Sequence, residues 1–379
     1  MTANASPVIV AAARTPIGTT GHSLARRPID ELAAPVLRSL RERLATNAVP
    51  DDVVLGNCMG PGGNPARVSA LVAGLGESVP GLSVDRQCAS GLAAIDLAAQ
   101  AVRGGAELIF AGGVESPSTA PWRFWPPTAE SDEPVRYERA PFTPASLEDL
   151  EMGLANDLFA TEAGVTRERQ DAYAARSHAL AISAREAGHY DAELVAIGEV
   201  VRDDRPRPRL SPERLARLPA AFRPGGSVTA GNSCGISDGA AAVAVVSPEL
   251  QARLGLPGLR ILSTATSGVE PSRPGRGLVP ASQTALKRAG ITLDEVDVIE
   301  FNEAFAGQVL ACCDELGLDS DRVCRQGGAL ALGHPWGASG AVLAVRLFSQ
   351  LITQPGGRYG LAAIAAGGGM GVAMVVEAC

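Results

Sequence analysis

Two stretches of this chain share one layout, and that duplication limits the folds open to it. CASG, Cys88 to Gly91, opens the alanine-rich LAAIDLAAQAVRGG and then the strand-like AELIFAGGVES; GASG, Gly337 to Gly340, opens AVLAVRLFSQL and then YGLAAIAAGGG. Upstream of each lies another helix-then-strand pair, ELAAPVLRSLRERL before DDVVLGN and ASQTALKRAG before EVDVIEFNEAF. Helices alternating with apolar strands predict an α/β fold built from two halves that face each other. The apolar run from Leu361 to Val376 is broken by four glycines and reads as buried strand, turn and strand rather than a membrane span. Residues 117–233 differ in texture. PWRFWPPTAESDEPVRYERAPFTP and a helical stretch from Arg167 to Gly188 predict an inserted loop domain, which over an active site would form a ligand-tunnel wall. The expected division is 1–116 with 234–255, then 117–233, then 256–379.

The chemistry concentrates where the duplicated units begin. Cys88 lies between a strand-like segment and an amphipathic helix, and a thiol at a helix N-terminus faces unpaired N–H groups that favour thiolate. A free cysteine is ordinarily buried and inert, but two distant segments argue otherwise. GGALALGHPWGASG holds His334 between Gly333 and Pro335, and EFNEAFAGQ places Asn302, Glu303 and Phe305 at the tip of a strand. Strand tips and the loops after them are where α/β folds place their chemistry. Cys, His and Asn supply a nucleophile, a base or oxyanion donor, and an orienting amide.

With these motifs, and with VIVAAARTPIG from Val8, GNPARVSALVAGL from Gly63, AGGVESPS from Ala111, GSVTAGNSCGISDGAAA from Gly226 and AGGGMGVAM from Ala366, the chain resembles the thiolases over nearly its whole length. The resemblance implies a layered α-β-α-β-α fold and acyl transfer that forms or cleaves 3-ketoacyl-CoA through Cys88. It implies that His334 assists Cys88, that the N–H groups of Cys88 and Gly367 hold the first oxyanion, and that His334 with a water on Asn302 holds the enolate. Met152, Phe222, Ala230, Cys234 and Phe305 would line the pantetheine and acyl channel, where ordinary core packing is the competing reading. Family members are usually dimers or tetramers, and GNPARVSA resembles the thiolase dimer region. Glu151 and Trp336 depart from family habit, where a histidine and a smaller aliphatic residue are usual.

One departure bears on mechanism. Thiolases usually carry an acid/base cysteine two residues before the C-terminal glycine triplet, and here that residue is Ala365. A methyl group exchanges no proton, and a positioned acid/base typically supplies ~10²- to 10⁴-fold. Three explanations stand: an engineered Cys-to-Ala change, a natural enzyme whose carbanion comes from decarboxylation, or another thiol in that role. Cys234, in NSCG where the family commonly has a serine at the thioester, is the first such thiol and Cys379 a weaker one. Substitution ranks last, because proton transfer needs contact at about 2.6 to 3.2 Å or one intervening water. A reading of another class, an acyl-CoA binding or scaffold subunit, predicts binding without release of CoA.

Composition narrows the remaining classes. A net charge of −8 with no long charge run argues against nucleic-acid binding. Lys287 is the only lysine, so positive charge is arginine, and Arg205, Arg207, Arg209, Arg214 and Arg217 cluster where they could meet CoA phosphates or simply face solvent. The seven cysteines show neither paired spacing nor a metal grid, so no metal and no cofactor beyond CoA thioesters is expected. MTANASPVIVAAARTP lacks a basic start and a long apolar core, which leads to a cytoplasmic expectation with no membrane partner.

Overall fold

The computed structural model describes residues 6–45, 48–129, 132–354 and 356–379; the first five residues, where a leader would begin, lie outside them. The strands are β1 (Val8–Arg14), β2 (Gly18–Thr19), β3 (Asp52–Gly56), β4 (Leu82–Val84), β5 (Leu108–Glu115), β6 (Arg123–Trp125), β7 (Val135–Tyr137), β8 (Ser237–Val246), β9 (Leu259–Gly268), β10 (Val298–Phe301), β11 (Tyr359–Ala366) and β12 (Met370–Ala378). The helices are α1 (Ile29–Leu44), α2 (Pro65–Val72), α3 (Ser90–Arg103), α4 (Met152–Glu162), α5 (Arg167–Glu186), α6 (Pro212–Leu215), α7 (Pro248–Leu254), α8 (Leu278–Ala289), α9 (Ala306–Leu316), α10 (Ala329–Leu332) and α11 (Trp336–Phe348). The main sheet runs β10-β11-β12-β9-β1-β8-β5-β3-β4, with β2 against β8.

The duplication is written into that order. Read outward from the middle, β1-β8-β5-β3 and β9-β12-β11-β10 are equivalent series. In each the outer pair is parallel and the inner pairs antiparallel. The two series join through a short antiparallel contact, Val8 against Arg260 and Ile9 against Leu259. The halves therefore share one continuous sheet instead of merely facing each other.

Each sheet half is covered on both faces. In β5, Ile109 and Ala111 enter a central core while Leu108, Phe110 and Val114 enter an outer one under α1 and α2. In β11, Ala362 and Ile364 face the same central core, and Leu361 and Ala363 face an outer core with α8 and α9. This two-sided burial explains why the strands read as continuous apolar runs. The central layer is α3 and α11, which pack against each other.

That packing depends on two glycines. A Cβ at Gly91 would lie 2.8 Å from both Ala341 N and Gly337 O, and one at Gly340 would lie 2.5 Å from Leu92 N. The ASG that follows Cys88 and the ASG that ends GHPWGASG thus let two helix N-terminal turns cross with their backbones in contact. Three residues before Gly91 is Cys88; three before Gly337 is His334.

A buried charge network ties the segment after α5 to both halves. Arg14 of β1 donates to Glu193 Oε1 at 2.7 Å and to both Asp203 oxygens at 2.7 and 3.0 Å, while Arg346 of α11 pairs with the other oxygen of Glu193. Tyr190 lies between the guanidinium groups, 5.3 Å from Arg14 and 4.6 Å from Arg346.

Two outcomes follow. Removing one partner from a buried ion network leaves an uncompensated charge, so Glu193→Ala should destabilise the fold by about 3–5 kcal/mol in urea unfolding. Gly340→Ala forces two backbones apart and should cost about 1–3 kcal/mol by the same measurement.

Candidate active site

Cys88 stands on a tight turn before α3. Gln87 adopts φ +50°, a conformation that side chains rarely take. Ser90 holds the turn, its Oγ accepting from Arg86 N at 2.7 Å and donating to Gln87 O at 2.6 Å. Residues held in such conformations often mark functional sites.

The Cys88 sulfur, half-buried, faces the backbone N–H of Gly367 as well as its own. Both favour the thiolate, yet burial outweighs them, and Glu115 and Asp85 add negative charge, so the thiol is pushed up to about 12. The N–H groups favour the thiolate, as the position before a helix leads one to expect, but burial prevails and the resting group is a thiol.

His334 is buried between Gly333, at φ +116°, and Pro335. Its backbone N–H donates to Gly235 O at 2.9 Å, and Nδ1 shares a 2.6 Å hydrogen bond with Ser339 Oγ, leaving Nε2 for chemistry. Burial lowers its pKa to about 4, so it is neutral at pH 7. Ser339 was missed in the sequence, although it lies five residues along the same motif.

Asn302 follows β10, with its N–H bonded to Ala363 O at 3.0 Å. It lines a cavity of about 10 Å³, room for one water, together with Glu300, Leu332, Ser339 and Arg346. Ser339, the partner of His334, and Asn302 thus line one small space. Burial raises Glu300, also lining it, to about 7. Ala365 is half-buried near the end of β11, paired with Gly371.

Two buried carboxylates fix these loops and were not singled out as site residues from sequence. Glu303 accepts Tyr173 OH at 2.9 Å and Ser177 Oγ at 2.7 Å, pinning the Asn302 loop to α5. Glu115 accepts the N–H groups of Cys58 at 3.0 Å, Met59 at 2.9 Å and Gly337 at 3.0 Å, joining the loop after β3 to the start of α11.

The residues expected to line a channel fall mostly together. Phe222 meets Phe305 edge-on at 6.2 Å and covers Gly153, next to Met152. Cys234 N donates to Ala304 O at 2.9 Å, and Ser233 bridges Phe305. Ala230 is exposed on the turn leading to this cluster. Glu151 caps α4, accepting Gly153 N at 2.8 Å and Leu154 N at 3.1 Å. Arg205 is half-buried, whereas Arg207, Arg209, Arg214 and Arg217 are exposed. Among the described residues no His, Cys, Asp and Glu group is arranged to hold a metal, and no helix is long and apolar enough to cross a membrane.

The depressed His334 value has a stability consequence with a definite sign. Between its ordinary 6.5 and about 4 the unfolded chain takes a proton that the folded chain refuses, so stability present above pH 6.5 is lost as pH falls through that window. His334→Asn should therefore lose less stability than the parent on moving from pH 7.5 to 4, by up to about 3 kcal/mol in urea unfolding.

Comparison with known proteins gives the family. Residues 7–249 match the family model of the thiolase N-terminal domain, and 256–378 that of the thiolase C-terminal domain. The chain is 44% identical to an acetyl-CoA acetyltransferase of Pseudomonas aeruginosa over 97% of its length and 98% of that protein's. It is 41% identical to the acetyl-CoA acetyltransferase of Escherichia coli, covering 98% of each. The crystal structure of the Bacillus anthracis acetyl-CoA acetyltransferase superposes with a TM-score of 0.93 at 38% identity, over 99% of this chain and 100% of that one. With both halves matched and the reactive segments converging from them, the chain belongs to the thiolase family.

Proposed function

We propose that this chain is an acyltransferase that takes an acyl group from a CoA thioester onto Cys88 and forms or cleaves the carbon–carbon bond of a 3-ketoacyl-CoA. The observation that carries the reading is the Cys88 sulfur facing the Gly367 N–H across from the other half of the fold. When the Cys88 sulfur attacks a thioester carbonyl, the developing oxyanion would need donors close to that sulfur, and the N–H groups of Gly367 and Cys88 are there. His334, neutral and oriented through Nδ1 by Ser339, is suited to take the thiol proton on Nε2. Because the resting thiol is protonated, acylation depends on that transfer. The acyl-enzyme then passes its acyl group to a second acceptor, a ping-pong sequence.

The Asn302 cavity suits a water that, with His334, would stabilise a thioester enolate. The Phe222–Phe305 pair beside Met152, Ala230 and Cys234 suits a channel for the pantetheine arm and acyl chain. The division at 117–233 belongs to this reading, as does a cytoplasmic setting with acyl-CoA and CoA as the partners. So does a homodimer or homotetramer: edge strand β4 and helix α2 expose Leu82, Val68, Leu71 and Val72 in one region.

Mixing the protein with acetyl-CoA should release free CoA and add one acetyl group to Cys88, read by thiol titration and intact mass. Cys88→Ala should abolish both. Binding without CoA release would mark a scaffold subunit instead, and labelling that persists elsewhere after Cys88→Ala would overturn the assignment.

A further inference from the structure

Ala365 leaves the carbon–carbon step without the proton-transfer group that the thiolase resemblance calls for, and the remaining thiols are not equivalent. Cys312, Cys313 and Cys324 are buried in the outer core under α8 and α9. Cys379 ends the chain, donating to Gly258 O at 3.4 Å. Cys58 is close enough to Cys88 to interact with it, but its S–H donates to Gln87 O at 3.2 Å and it faces the carboxylates of Glu115 and Asp85.

Cys234 differs from all of these. Its segment runs between the two loops of the site: Cys234 N bonds Ala304 O at 2.9 Å, two residues from Asn302, and Gly235 O accepts His334 N at 2.9 Å. The thiol is half-buried, interacts with Cys88, and donates to no acceptor among the described residues. Arg205 lies over the neighbouring backbone, so close that a Cβ at Gly235 would meet its Nη1 at 2.1 Å, and Nη2 donates to Ser233 O at 3.3 Å. Among the described residues Arg205 has no carboxylate partner, and its Nε has no hydrogen-bond partner. An unpaired guanidinium beside a free thiol is the arrangement that makes a thiolate tolerable in a dry site.

Resting on the acyl-enzyme reading, we infer that Cys234 is the acid/base of the carbon–carbon step, standing in for the side chain missing at 365, with Arg205 as its positioning residue. In condensation the Cys234 thiol first gives its proton to solvent, and the thiolate so formed removes a proton from the α-carbon of a CoA-bound acetyl group; the C–H bond breaks, the S–H bond forms, and the electron pair enters the enolate. The enolate carbon attacks the acyl carbonyl on Cys88, making the C–C bond, and collapse breaks the C–S bond to release Cys88 as thiolate. That thiolate takes the proton from Cys234, and Cys234 regains from solvent the proton it first released, which returns the site to its starting state. Burial pushes both thiols up to about 12.

The test follows deuterium uptake at the α-carbon of acetyl-CoA in D₂O, with Cys88 acetylation read by intact mass in the same samples. The chain as it stands should exchange. Cys234→Ala, and the closer-shaped Cys234→Ser, should each lose ~10²- to 10⁴-fold in exchange while Cys88 is still acetylated. Adding Ala365→Cys to Cys234→Ala should restore exchange. Exchange undiminished in both Cys234 variants, or exchange that appears only after Ala365→Cys in the parent chain, overturns the inference. Absence of acetyl on Cys88 in the parent chain is a separate result that overturns the acyl-enzyme reading beneath it.

The charges facing Cys234 are the Arg205 cation, which favours its thiolate, and Cys88 and Glu303, which oppose it; His334 beside it is neutral. Arg205→Gln should therefore move the alkaline rise of the exchange rate to higher pH, and Arg205→Lys should return it. An unmoved pH profile in Arg205→Gln would remove Arg205 from the assignment.

Discussion

The close crossing of α3 and α11 is the contact on which the site depends. Two helices normally stand 8–10 Å apart because side chains separate them. Glycine at 91 and at 340 removes those side chains where the N-terminal turns meet, and backbone touches backbone. Cys88 and His334 sit three residues before Gly91 and Gly337 respectively, so closing that gap draws together two helix starts whose flanking thiol and imidazole are separated by nearly 250 positions in the sequence. The duplication accounts for the symmetry of the arrangement, since each half offers one helix N-terminus to the shared centre.

Around that centre the protein uses buried charge as fastening. Glu193 bridges Arg14 and Arg346, Glu303 holds the Asn302 loop to α5, and Glu115 links the loop after β3 to the first turn of α11. Each carboxylate is satisfied by several donors, the condition under which buried charge can be tolerated. These ties join segments from different halves and from the region between them. They give the site a rigid frame that loops alone would lack.

The reactive groups themselves are uncharged at rest. Burial keeps both Cys88 and Cys234 as thiols and His334 as a neutral imidazole. On the proposed mechanism charge develops only when a substrate is present to receive it, where backbone N–H groups and Arg205 are already in place. Such a site avoids the desolvation cost of a standing ion pair and spends its fixed dipoles on the transition state.

The sequence by itself determined the α/β class and the duplicated layout, and it singled out Cys88, His334 and Asn302 as candidates. Those features are local: strand runs, helix openings and the residues that punctuate them carry their own signal. It also placed α3, α5, β5 and the β11–β12 hairpin within a few residues. It did not reveal that the two halves share one sheet through Val8 and Ile9, because a two-residue contact leaves no pattern. Nor did it reveal Ser339 as the partner of His334, or Glu303 and Glu115 as anchors, since a polar residue in a motif looks alike whether it faces solvent or a buried donor. The resting protonation of Cys88 was not legible for the same reason: helix position is visible in a sequence, but desolvation is set by every element packed around the sulfur. Which of the seven cysteines has a free S–H beside an unpaired arginine was likewise decided only by tertiary structure, because pairing and burial are properties of neighbours distant in the chain.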